Sequence, residues 1–290
     1  MDKLSDAASG FDKQRLFDFL DTFRRSKGNL TVLTGAGISA ESGIPTFRGP
    51  EGYWTVGSQV YRPQEMATLD MFRRDPRAVW QFYLWRLGVC RQAQPNQGHK
   101  ALVAMEKQLQ ARFTLITQNV DNLHLRAGQS LNRTYQIHGN LGYVRCSAAC
   151  CRSVTEIPPE VVPKEKNENI SDTEWQRLHC SRCGALLRPH VLWFDESYDE
   201  SFYRLDSSLA AARSTALLIV VGTSGATNLP TQVVAQVYRQ GGFIIDINPN
   251  DNPYGQLAQG YERGLAIRGQ SGKALDAIAR HIEAVSLVSR

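Results

Sequence analysis

The chain has 290 residues, six cysteines and a formal net charge of +5, from 33 lysines and arginines against 28 aspartates and glutamates. A chain of this length buries a substantial core without disulfides, and a composition of 42% hydrophobic and 21% charged residues excludes a disordered or low-complexity protein. The longest apolar run, residues 216–221, is too short to cross a membrane, and the first residues lack the basic and apolar regions of a secretory signal. We therefore expect a cytoplasmic protein that binds no membrane and, given its mild and scattered charge, no specific nucleic acid.

The first predicted elements are a helix at residues 13–25 and a strand at residues 30–34, which leads directly into a glycine turn. Gly35, Gly37 and Ala40 in this turn match the G-x-G-x-x-G/A pattern, in which the first glycine makes the turn, the second lets the backbone approach a pyrophosphate, and the small third residue allows close packing. A single match also occurs in glycine turns that bind no ligand. The chain then passes through prolines into helical segments and lacks a second strand with a ribose-binding acid, which excludes an ordinary dehydrogenase.

Strands and helices alternate along the rest of the chain. Apolar, β-rich runs predict strands at residues 113–117, 134–137, 191–194, 216–221 and 243–247. Helical spacing predicts helices at residues 78–89, 99–110, 203–213, 230–240 and 273–285. This alternation is typical of an α/β fold, with a Rossmann-like parallel sheet that carries helices on both faces. Because two segments interrupt it, we expect a large lobe (residues 14–45, 111–139 and 190–285) and a small lobe from a helical insertion (46–110) and a cysteine-bearing one (140–189).

Polar side chains follow four of the predicted strands. They are Gln118, Asn119 and Asp121 after residues 113–117, His138 after 134–137, Gly222, Thr223 and Ser224 after 216–221, and Asn248 after 243–247. The carboxyl ends of parallel strands border the crevice in which α/β sheets bind ligands. Taken alone, Asn119 or Asp121 could cap a helix and His138 could be structural. Four such strand ends together favour a binding site.

Five of the six cysteines lie between residues 146 and 183. In a reducing compartment such clusters hold metal more often than disulfides. Cys180 and Cys183 form a C-x-x-C pair, and Cys146 pairs with Cys151 or, alternatively, with Cys150, because a four-cysteine set has room for only one of them. Four thiolates fill the tetrahedron around zinc and leave no position for water or substrate, so we predict one structural Zn²⁺ that folds the small lobe. Redox-active or unliganded cysteines are the alternative.

Several short motifs occur in a fixed order: GAGISAESGIPTFRG at 35–49, TQNVDNLH at 117–124, IHG at 137–139, the paired cysteines, GTS at 222–224 and IN at 247–248. In this order and spacing they resemble the sirtuins, the family of NAD-dependent protein lysine deacylases. The resemblance covers about residues 14–285 as one catalytic domain and implies that NAD is consumed as a co-substrate. It implies cofactor contacts from Gly35, Ala36, Gly37, Ser39, Ala40, Phe47, Arg48, Tyr53, Trp54, Gln118, Asn119, Asp121, Gly222, Thr223, Ser224 and Asn248.

The same resemblance implies a mechanism. The NAD phosphates would lie against the backbone amides of residues 35–39. Asn119, with the polar residues beside it, would hold the nicotinamide ribose and carboxamide while the acyl-lysine amide oxygen attacks the ribose and expels nicotinamide. His138 would then act as general base on the ribose hydroxyls, a role suited to a pKa near neutrality. The expected products are free lysine, nicotinamide and 2′-O-acyl-ADP-ribose.

A finer resemblance concerns the acyl group. The segments QEMATLDMFRRDP and AVWQFYLWR are similar to the class III branch, whose members remove succinyl, malonyl or glutaryl groups. The resemblance implies that Tyr83 and Arg86 bind the acyl carboxylate and that Ala67 widens the acyl pocket. Phenol and guanidinium groups can bind a carboxylate through charge-assisted hydrogen bonds. The alternative is that Tyr83 and Arg86 only pack on an aromatic helix face.

Residues 190–194 resemble the peptide-binding segment of the same branch, so Val191, Trp193 and Phe194 are expected to contact a substrate backbone that pairs as an added strand. The chain departs from the family pattern at Asp195, where glycine is usual, and in GTSGATNLP, which lacks the usual apolar pair. The implied partners are acyl-lysine proteins or peptides, and a monomer is favoured. The alternatives are a plain deacetylase, an ADP-ribosyltransferase or NAD hydrolase on the same fold, and a catalytically inactive zinc-containing binding protein.

Overall fold

Strands joined by helices make up most of the chain, for which a computed structural model describes residues 12–46 and 63–287. Within these ranges the strands are β1 (Asn29–Thr34), β2 (Phe113–Thr117), β3 (Thr134–Gln136), β4 (Gly139–Cys146), β5 (Val154–Glu156), β6 (Leu187–Val191), β7 (Thr215–Val221), β8 (Phe243–Ile247) and β9 (Gly264–Ile267). The helices are α1 (Lys13–Ser26), α2 (Gly37–Ala40), α3 (Pro63–Met66), α4 (Leu69–Arg74), α5 (Pro76–Gln92), α6 (Gln97–Leu109), α7 (Leu123–Ala127), α8 (Asp172–Arg177), α9 (Glu200–Tyr203), α10 (Leu205–Arg213), α11 (Asn228–Arg239), α12 (Pro253–Gln259) and α13 (Ser271–Leu287). Among them we find no helix with the length and apolar character that a membrane span requires.

Six of these strands form one parallel sheet in the order β3-β2-β1-β7-β8-β9. Its central strands are largely apolar and buried, as expected of a sheet that is covered on both faces. The strands predicted at residues 30–34, 113–117, 134–137, 216–221 and 243–247 are confirmed, each within one residue of its observed bounds. The α/β class with a parallel sheet is therefore confirmed, while the short strand β9 was not predicted.

Helices cover both faces of this sheet. On one face α1, α6 and α13 pack against the strands, with Leu102 and Leu275 fully buried. On the other face α10, α11 and α12 do the same, with Val233 and Tyr254 buried. Because α6 packs against the parallel sheet, the helical insertion ends before it, and the small-lobe boundary predicted at residue 110 is corrected.

The small lobe combines the antiparallel sheet β5-β4-β6 with the helices α4 and α5. Trp80 of α5 is fully buried in its core, and its Nε1 donates to the Leu187 carbonyl of β6 at 2.9 Å. α5 begins at Pro76 because the Asp75 carboxylate caps the first turn, accepting from the Ala78 amide at 3.0 Å. Helix α5 of the insertion is thus fixed to the antiparallel sheet, whose strand β4 ends at the first cysteine of the cluster, Cys146.

The strand predicted at residues 191–194 is wrong, since the observed strand β6 ends at Val191. The next three amides donate to separate partners instead of a neighbouring strand: Leu192 to the His138 carbonyl, Trp193 to the Glu196 carboxylate and Phe194 to the Ala67 carbonyl, each at 3.0 Å. The apolar character of this segment reflects the burial of Trp193, which is 1% exposed. Because these amides are engaged, they do not offer the added-strand pairing that was expected for a peptide substrate.

Candidate functional site

The polar residues that follow the parallel strands meet at the carboxyl edge of the sheet, as the sequence predicts. The glycine turn after β1 lies against the end of β7, where Gly35 N donates to the Val221 carbonyl at 2.9 Å and Gly37 N to the Gly222 carbonyl at 2.8 Å. A Cβ on Gly37 would lie 2.6 Å from the Gly222 Cα, and Gly222 itself has a φ of +59°. The close approach of two backbones therefore requires glycine here, with or without a ligand.

The backbone amides of this turn are already engaged. Besides Gly35 and Gly37, Ile38 N donates to the Gly35 carbonyl at 3.2 Å and Ser39 N to the Ala36 carbonyl at 3.1 Å. Four of the five amides from residue 35 to residue 39 thus have backbone partners. The predicted binding of phosphate by these four amides is corrected, because all four already donate to backbone carbonyls. What the turn gives a ligand is space, since it lacks bulky side chains.

Ser39 links the two crevice side chains Asn119 and Asp121. Its Oγ donates to Asp121 Oδ2 at 2.7 Å and accepts from Asn119 Nδ2 at 3.2 Å, and all three residues are buried. Asp121 Oδ1 also accepts from Leu123 N at 2.9 Å, at the start of α7. Burial raises the pKa of Asp121, while these hydrogen bonds and the Arg86 guanidinium act in the opposite direction. Asp121 therefore caps a helix and lines the crevice at the same time.

His138 is held between a backbone carbonyl and a tyrosine hydroxyl. Its Nδ1 lies 3.0 Å from the Gln118 carbonyl oxygen, and its Nε2 lies 2.8 Å from Tyr198 Oη. Because a carbonyl only accepts, Nδ1 carries the hydrogen and Nε2 keeps its lone pair. Burial lowers the pKa of His138 to about 4, against the smaller effect of the Gln118 hydrogen bond. The imidazole is neutral at pH 7, and the near-neutral pKa expected from the sequence is corrected.

The Gln118 side chain joins the ends of β2 and β7. Its Nε2 donates to Thr223 Oγ1 at 2.9 Å, and its Oε1 accepts from Thr227 Oγ1 at 2.8 Å. Asn248, beyond β8, donates from Nδ2 to the Thr223 carbonyl at 2.9 Å. The structure thus brings together Gln118, Thr223 and Asn248, whereas the side chain of Ser224 is exposed.

The two residues predicted to bind an acyl carboxylate lie on the buried side of α5. Tyr83 is 2% and Arg86 is 5% exposed, and the Trp193 Nε1 donates to Tyr83 Oη at 2.9 Å. Burial raises the pKa of Tyr83 to about 12, against the opposing charge of Arg86, so the phenol keeps its proton. Tyr83 packs in the same apolar cluster as Val120 and Leu123, which lie on either side of Asp121 in the chain, so this face of α5 lies next to the crevice. Ala67, also predicted here, is buried.

Asp195, where the family pattern has glycine, joins the segment after β6 to the helical insertion. Its Oδ1 accepts from Leu69 N at 2.8 Å and its Oδ2 from Asp70 N at 3.1 Å, in the first turn of α4. Helix N-terminal amides favour a carboxylate partner. The departure from the family pattern is therefore a structural link between the two segments predicted to contact substrate.

Four sulfur atoms lie together at the end of β4. They belong to Cys146, Cys150, Cys180 and Cys183 and all lie within 4.8 Å of one another, with 3.6 Å between Cys146 and Cys183 and between Cys150 and Cys180. Zn–S bonds of about 2.3 Å in a tetrahedron separate the sulfurs by about 3.8 Å, so the set is compatible with zinc. The amides of Arg182 and Cys183 donate to the Cys180 sulfur and lower its pKa to about 6, which favours the thiolate that zinc requires.

The preference for Cys151 as the fourth ligand is wrong, and the predicted alternative Cys150 is the one that joins the set. The backbone turns sharply at Ala149, which has a φ of +49°, and this turn precedes Cys150. Neighbouring side chains then point in different directions. The Cys151 thiol contacts Ser153, whose backbone and hydroxyl groups lower its pKa.

The structure adds two side chains to the predicted site and leaves four outside the described residues. Tyr198, on His138, and Thr227, on Gln118, were not predicted. The sequence contained a sign of Thr227, because GTSGATNLP departs from the family pattern at this segment. It contained no sign of Tyr198, because the loop around that residue has no periodic pattern. The predicted cofactor contacts that fall outside the described residues are Phe47, Arg48, Tyr53 and Trp54.

Known proteins share this combination of fold and motifs. The Sir2 family model matches residues 35–228. The chain is 38% identical to NAD-dependent protein deacylase 1 of Archaeoglobus fulgidus over 263 residues, which are 91% of this chain and 96% of that protein. It is 39% identical to the NAD-dependent protein deacylase of Aquifex aeolicus over 83% of this chain and 92% of that protein.

Solved structures show the same similarity in three dimensions. A Sir2 homologue in complex with NAD matches with a TM-score of 0.74 and 33% identity over 94% of each chain. A Sir2 protein with a p53 peptide and NAD⁺ matches with a TM-score of 0.71 and 26% identity, over 96% of this chain and 99% of that one. The similarity therefore extends over nearly the whole chain, including both lobes.

Proposed function

Because this chain belongs to the Sir2 family, we propose that it is an NAD-dependent deacylase of protein lysine residues. The observation that carries the proposal is the arrangement of Asn119, Asp121 and His138 around one crevice, with Ser39 bridging the first two. A buried amide, a buried carboxylate and a neutral imidazole supply the donors and acceptors that ribose hydroxyls and a carboxamide need. Relatives that are named NAD-dependent protein deacylases and match most of the chain support it.

NAD serves as a co-substrate, and it supplies a ribose carbon that becomes electrophilic as nicotinamide leaves. Asn119 and Asp121, joined through Ser39, hold the nicotinamide ribose and carboxamide while the acyl-lysine amide oxygen approaches that carbon. His138 Nε2 then accepts a proton from a ribose hydroxyl, and its Nδ1–H stays bonded to the Gln118 carbonyl, which stabilises the imidazolium. The ribose oxygen attacks the acyl carbon, and one water molecule from solvent is consumed as the C–N bond to lysine breaks, so the products are free lysine, nicotinamide and 2′-O-acyl-ADP-ribose.

The proposal extends to the acyl group, with succinyl, malonyl or glutaryl favoured over acetyl. Tyr83 accepts from Trp193 and keeps its own proton, which leaves its O–H to donate to an acyl carboxylate. Arg86 adds a buried positive charge on the same face of α5, where a carboxylate is attracted more strongly than in water. The small side chain of Ala67 leaves room for a longer acyl group.

The substrate peptide would lie along the segment that follows β6. Phe194 is 61% exposed and can contact the peptide directly. Trp193 is buried and acts through its hydrogen bond to Tyr83, and Val191 pairs with Gly139 inside the small sheet. Side-chain contact at Phe194 therefore replaces the backbone pairing expected from the sequence.

One structural Zn²⁺ completes the proposal, held by the four clustered thiolates. It would fix the end of β4 to the C-x-x-C turn before β6. Since four thiolates fill its coordination, the metal takes no part in the acyl transfer.

A panel of acetyl-, succinyl-, malonyl- and glutaryl-lysine peptides, assayed with NAD, tests both levels of the proposal. We expect faster turnover of the acidic acyl groups, and Arg86→Met should lower kcat/KM for the succinyl peptide by about 10- to 100-fold, because a charge-assisted hydrogen bond is lost. Acetyl turnover should change little. Arg91→Met removes an exposed charge from the same helix and should leave both activities unchanged.

The outcomes distinguish the proposed acyl preference from the proposed deacylation itself. A wild type that prefers acetyl, or an Arg86→Met variant that keeps its succinyl preference, refutes the carboxylate-binding assignment and leaves deacylation standing. Failure of every peptide to react refutes the deacylase itself.

A further inference from the structure

Two side chains outside the predicted set bond the proposed catalytic histidine or the glutamine that holds it. Tyr198 Oη lies 2.8 Å from His138 Nε2, and the two ring centroids are 5.8 Å apart with planes inclined by 31°. Thr227 Oγ1 donates to Gln118 Oε1 at 2.8 Å and lies near the Tyr198 hydroxyl. Tyr198 lies in the loop after β6 and Thr227 in the loop after β7, so two separate loops contribute to the surroundings of His138 and Gln118.

These contacts determine which imidazole nitrogen carries the hydrogen. Nδ1 faces the Gln118 carbonyl at 3.0 Å, and a carbonyl oxygen only accepts, so the hydrogen lies on Nδ1. Nε2 then has a lone pair, and Tyr198 is the donor in the 2.8 Å contact. Burial raises the pKa of Tyr198, with the Thr227 contact acting in the opposite direction, so the phenol remains a donor at neutral pH.

The contacts also hold the imidazole at both nitrogens. The Gln118 carbonyl holds one nitrogen and Tyr198 holds the other, while Thr227 donates to the Gln118 side chain. Gln118 is itself anchored to Thr223 at 2.9 Å. An imidazole bonded at only one nitrogen can change its ring angle, and a second bond at the opposite nitrogen removes that freedom.

We propose that Tyr198 is a positioning residue for His138, which holds the imidazole in the orientation and tautomer that present Nε2 as the base. This inference rests on the proposed deacylase function, because it concerns the step in which His138 takes a ribose proton. In that step a ribose hydroxyl replaces the phenol on the Nε2 lone pair. The ribose O–H bond breaks, its proton goes to Nε2, and its electron pair stays on the oxygen, which attacks the acyl carbon. The Nδ1–H bond to the Gln118 carbonyl is retained.

Tyr198→Phe tests the proposal, because it removes the hydroxyl and keeps the ring. Exchange of labelled nicotinamide into NAD, with the best acyl-lysine peptide present, reports cleavage of the glycosidic bond, whereas formation of acyl-ADP-ribose reports the later proton transfer. We expect exchange near the wild-type rate and product formation lowered by about tenfold.

The pH profile gives a second readout that a purely structural role would not move. A hydrogen bond donated to the neutral imidazole disfavours its protonation, so the loss of that bond raises the pKa of His138. The acid limb of kcat/KM for acyl-ADP-ribose formation should therefore move to higher pH in Tyr198→Phe, by about one unit.

Tyr203→Phe is the matched control, since the Tyr203 ring also lies beside a histidine, His190, with 5.8 Å between the ring centroids, but its hydroxyl accepts from Arg145. Neither activity nor the pH profile should change in this control. Thr227→Val keeps Tyr198 and removes the hydrogen bond to the side chain of Gln118, whose carbonyl holds His138, so it should cause a smaller loss of product formation, and it tests the proposal even if Tyr198→Phe fails to fold.

Three outcomes overturn the assignment of Tyr198. They are unchanged or faster product formation in the folded Tyr198→Phe variant, an equal loss of exchange and product formation, and wild-type product formation in Thr227→Val. A wild type that shows no peptide-dependent exchange refutes the proposed function instead.

Discussion

The catalytic crevice and the cysteine module, residues 146–183, differ in what holds their side chains in place. In the crevice, polar groups lie at the ends of buried strands and bond one another, as Ser39 does to Asp121 at 2.7 Å and to Asn119 at 3.2 Å. In the module, Cys146 is the last residue of β4 and the other three cysteines lie in loops, and every residue of β5 is exposed. Apolar packing positions the first set, whereas a cation is needed to hold four thiolates together.

Because of this difference, the chemistry of the crevice and the folding of the module can be disturbed separately. The parallel sheet buries apolar residues on both faces, so the crevice can lose a side chain without losing its walls. The module packs Val161 and Leu178 into the small-lobe core, but Cys150 and Cys183 remain exposed. A change in one region should therefore leave the measured property of the other unchanged.

Removal of a zinc ligand should have the largest effect and stay within the module. Cys150→Ser should lose stoichiometric zinc and open the module to proteolysis, because structural zinc contributes on the order of 10 kcal/mol to small metal-bound folds. Cys151→Ser, one position later, is the matched control and should keep one zinc per chain. Zinc content measured by mass spectrometry checks this, and the reverse pattern would restore Cys151 as the ligand.

Removal of the base should do the opposite and stay within the crevice. His138→Ala should lower acyl-ADP-ribose formation by about 10²- to 10⁴-fold, because a positioned general base is lost, while zinc content and thermal unfolding remain near the wild type. His281→Ala, on α13, is the histidine control and should keep full activity, since His281 bonds Asp21 at 2.9 Å outside the crevice. Undiminished turnover in His138→Ala would remove the histidine from the mechanism.

Two buried carboxylates, one in the parallel sheet and one in the cysteine module, should make contributions to stability that change with pH in opposite directions. Burial raises the pKa of Asp246 in β8 to about 6 despite the nearby Arg268, so its contribution to stability falls as pH rises from about 4 to about 6. Burial would also raise the pKa of Glu174 in the module, but hydrogen bonds led by Lys164 lower it to about 2. The contribution of Glu174 is therefore present above about pH 4.5 and is lost as pH falls toward about 2.

Free energies of unfolding, measured against pH for Asp246→Asn and Glu174→Gln, test these signs. The stability of Asp246→Asn relative to the wild type should rise from pH 4 to 6, and that of Glu174→Gln should fall from pH 2 to 4.5, each by about 1–3 kcal/mol. If the relative stabilities of the two variants changed with pH in the same direction, the pKa directions given for the two carboxylates would be contradicted.

The smallest expected effect concerns Asp195, which links the two segments that are predicted to contact substrate. Asp195→Ala should cost about 1 kcal/mol of stability, because two amides of α4 lose their cap, and should raise KM for the acyl peptide. Asp12→Ala removes the cap of α1, where Asp12 accepts from Arg15 N at 2.9 Å, and should cost similar stability with no change in KM. Equal KM values in the two variants would show that Asp195 is only a cap.

Much of the parallel sheet could be predicted because its strands are apolar on both faces and therefore visible as short runs. The run at 243–247 matches β8 at both ends. The antiparallel strand β4 could not be found in this way, since Gly139 begins it with a φ of +83° and its sequence GNLGYVRC has no regular alternation. Its pairing with β6 depends on contacts between residues far apart in the chain.

The sequence predicted those residues of the candidate site that lie within recognisable motifs. Asn119 and His138 follow strands at positions that the motif order identifies, but Tyr198 is 60 residues from His138 and joins it only through tertiary packing. The choice between Cys150 and Cys151 depends on the backbone turn at Ala149, for which the composition gives no sign. Local patterns therefore identified candidate reacting groups, while their partners required the fold.

The central claim is that this chain couples cleavage of NAD to removal of an acyl group from lysine, and the stoichiometry of the products tests it most directly. The wild type is incubated with NAD and a succinyl-lysine peptide, and nicotinamide, free lysine peptide and succinyl-ADP-ribose are quantified by mass spectrometry. We predict equal amounts of all three, with nicotinamide release that depends on the peptide. Nicotinamide release without the peptide, ADP-ribose attached to protein, or no release at all would contradict the claim.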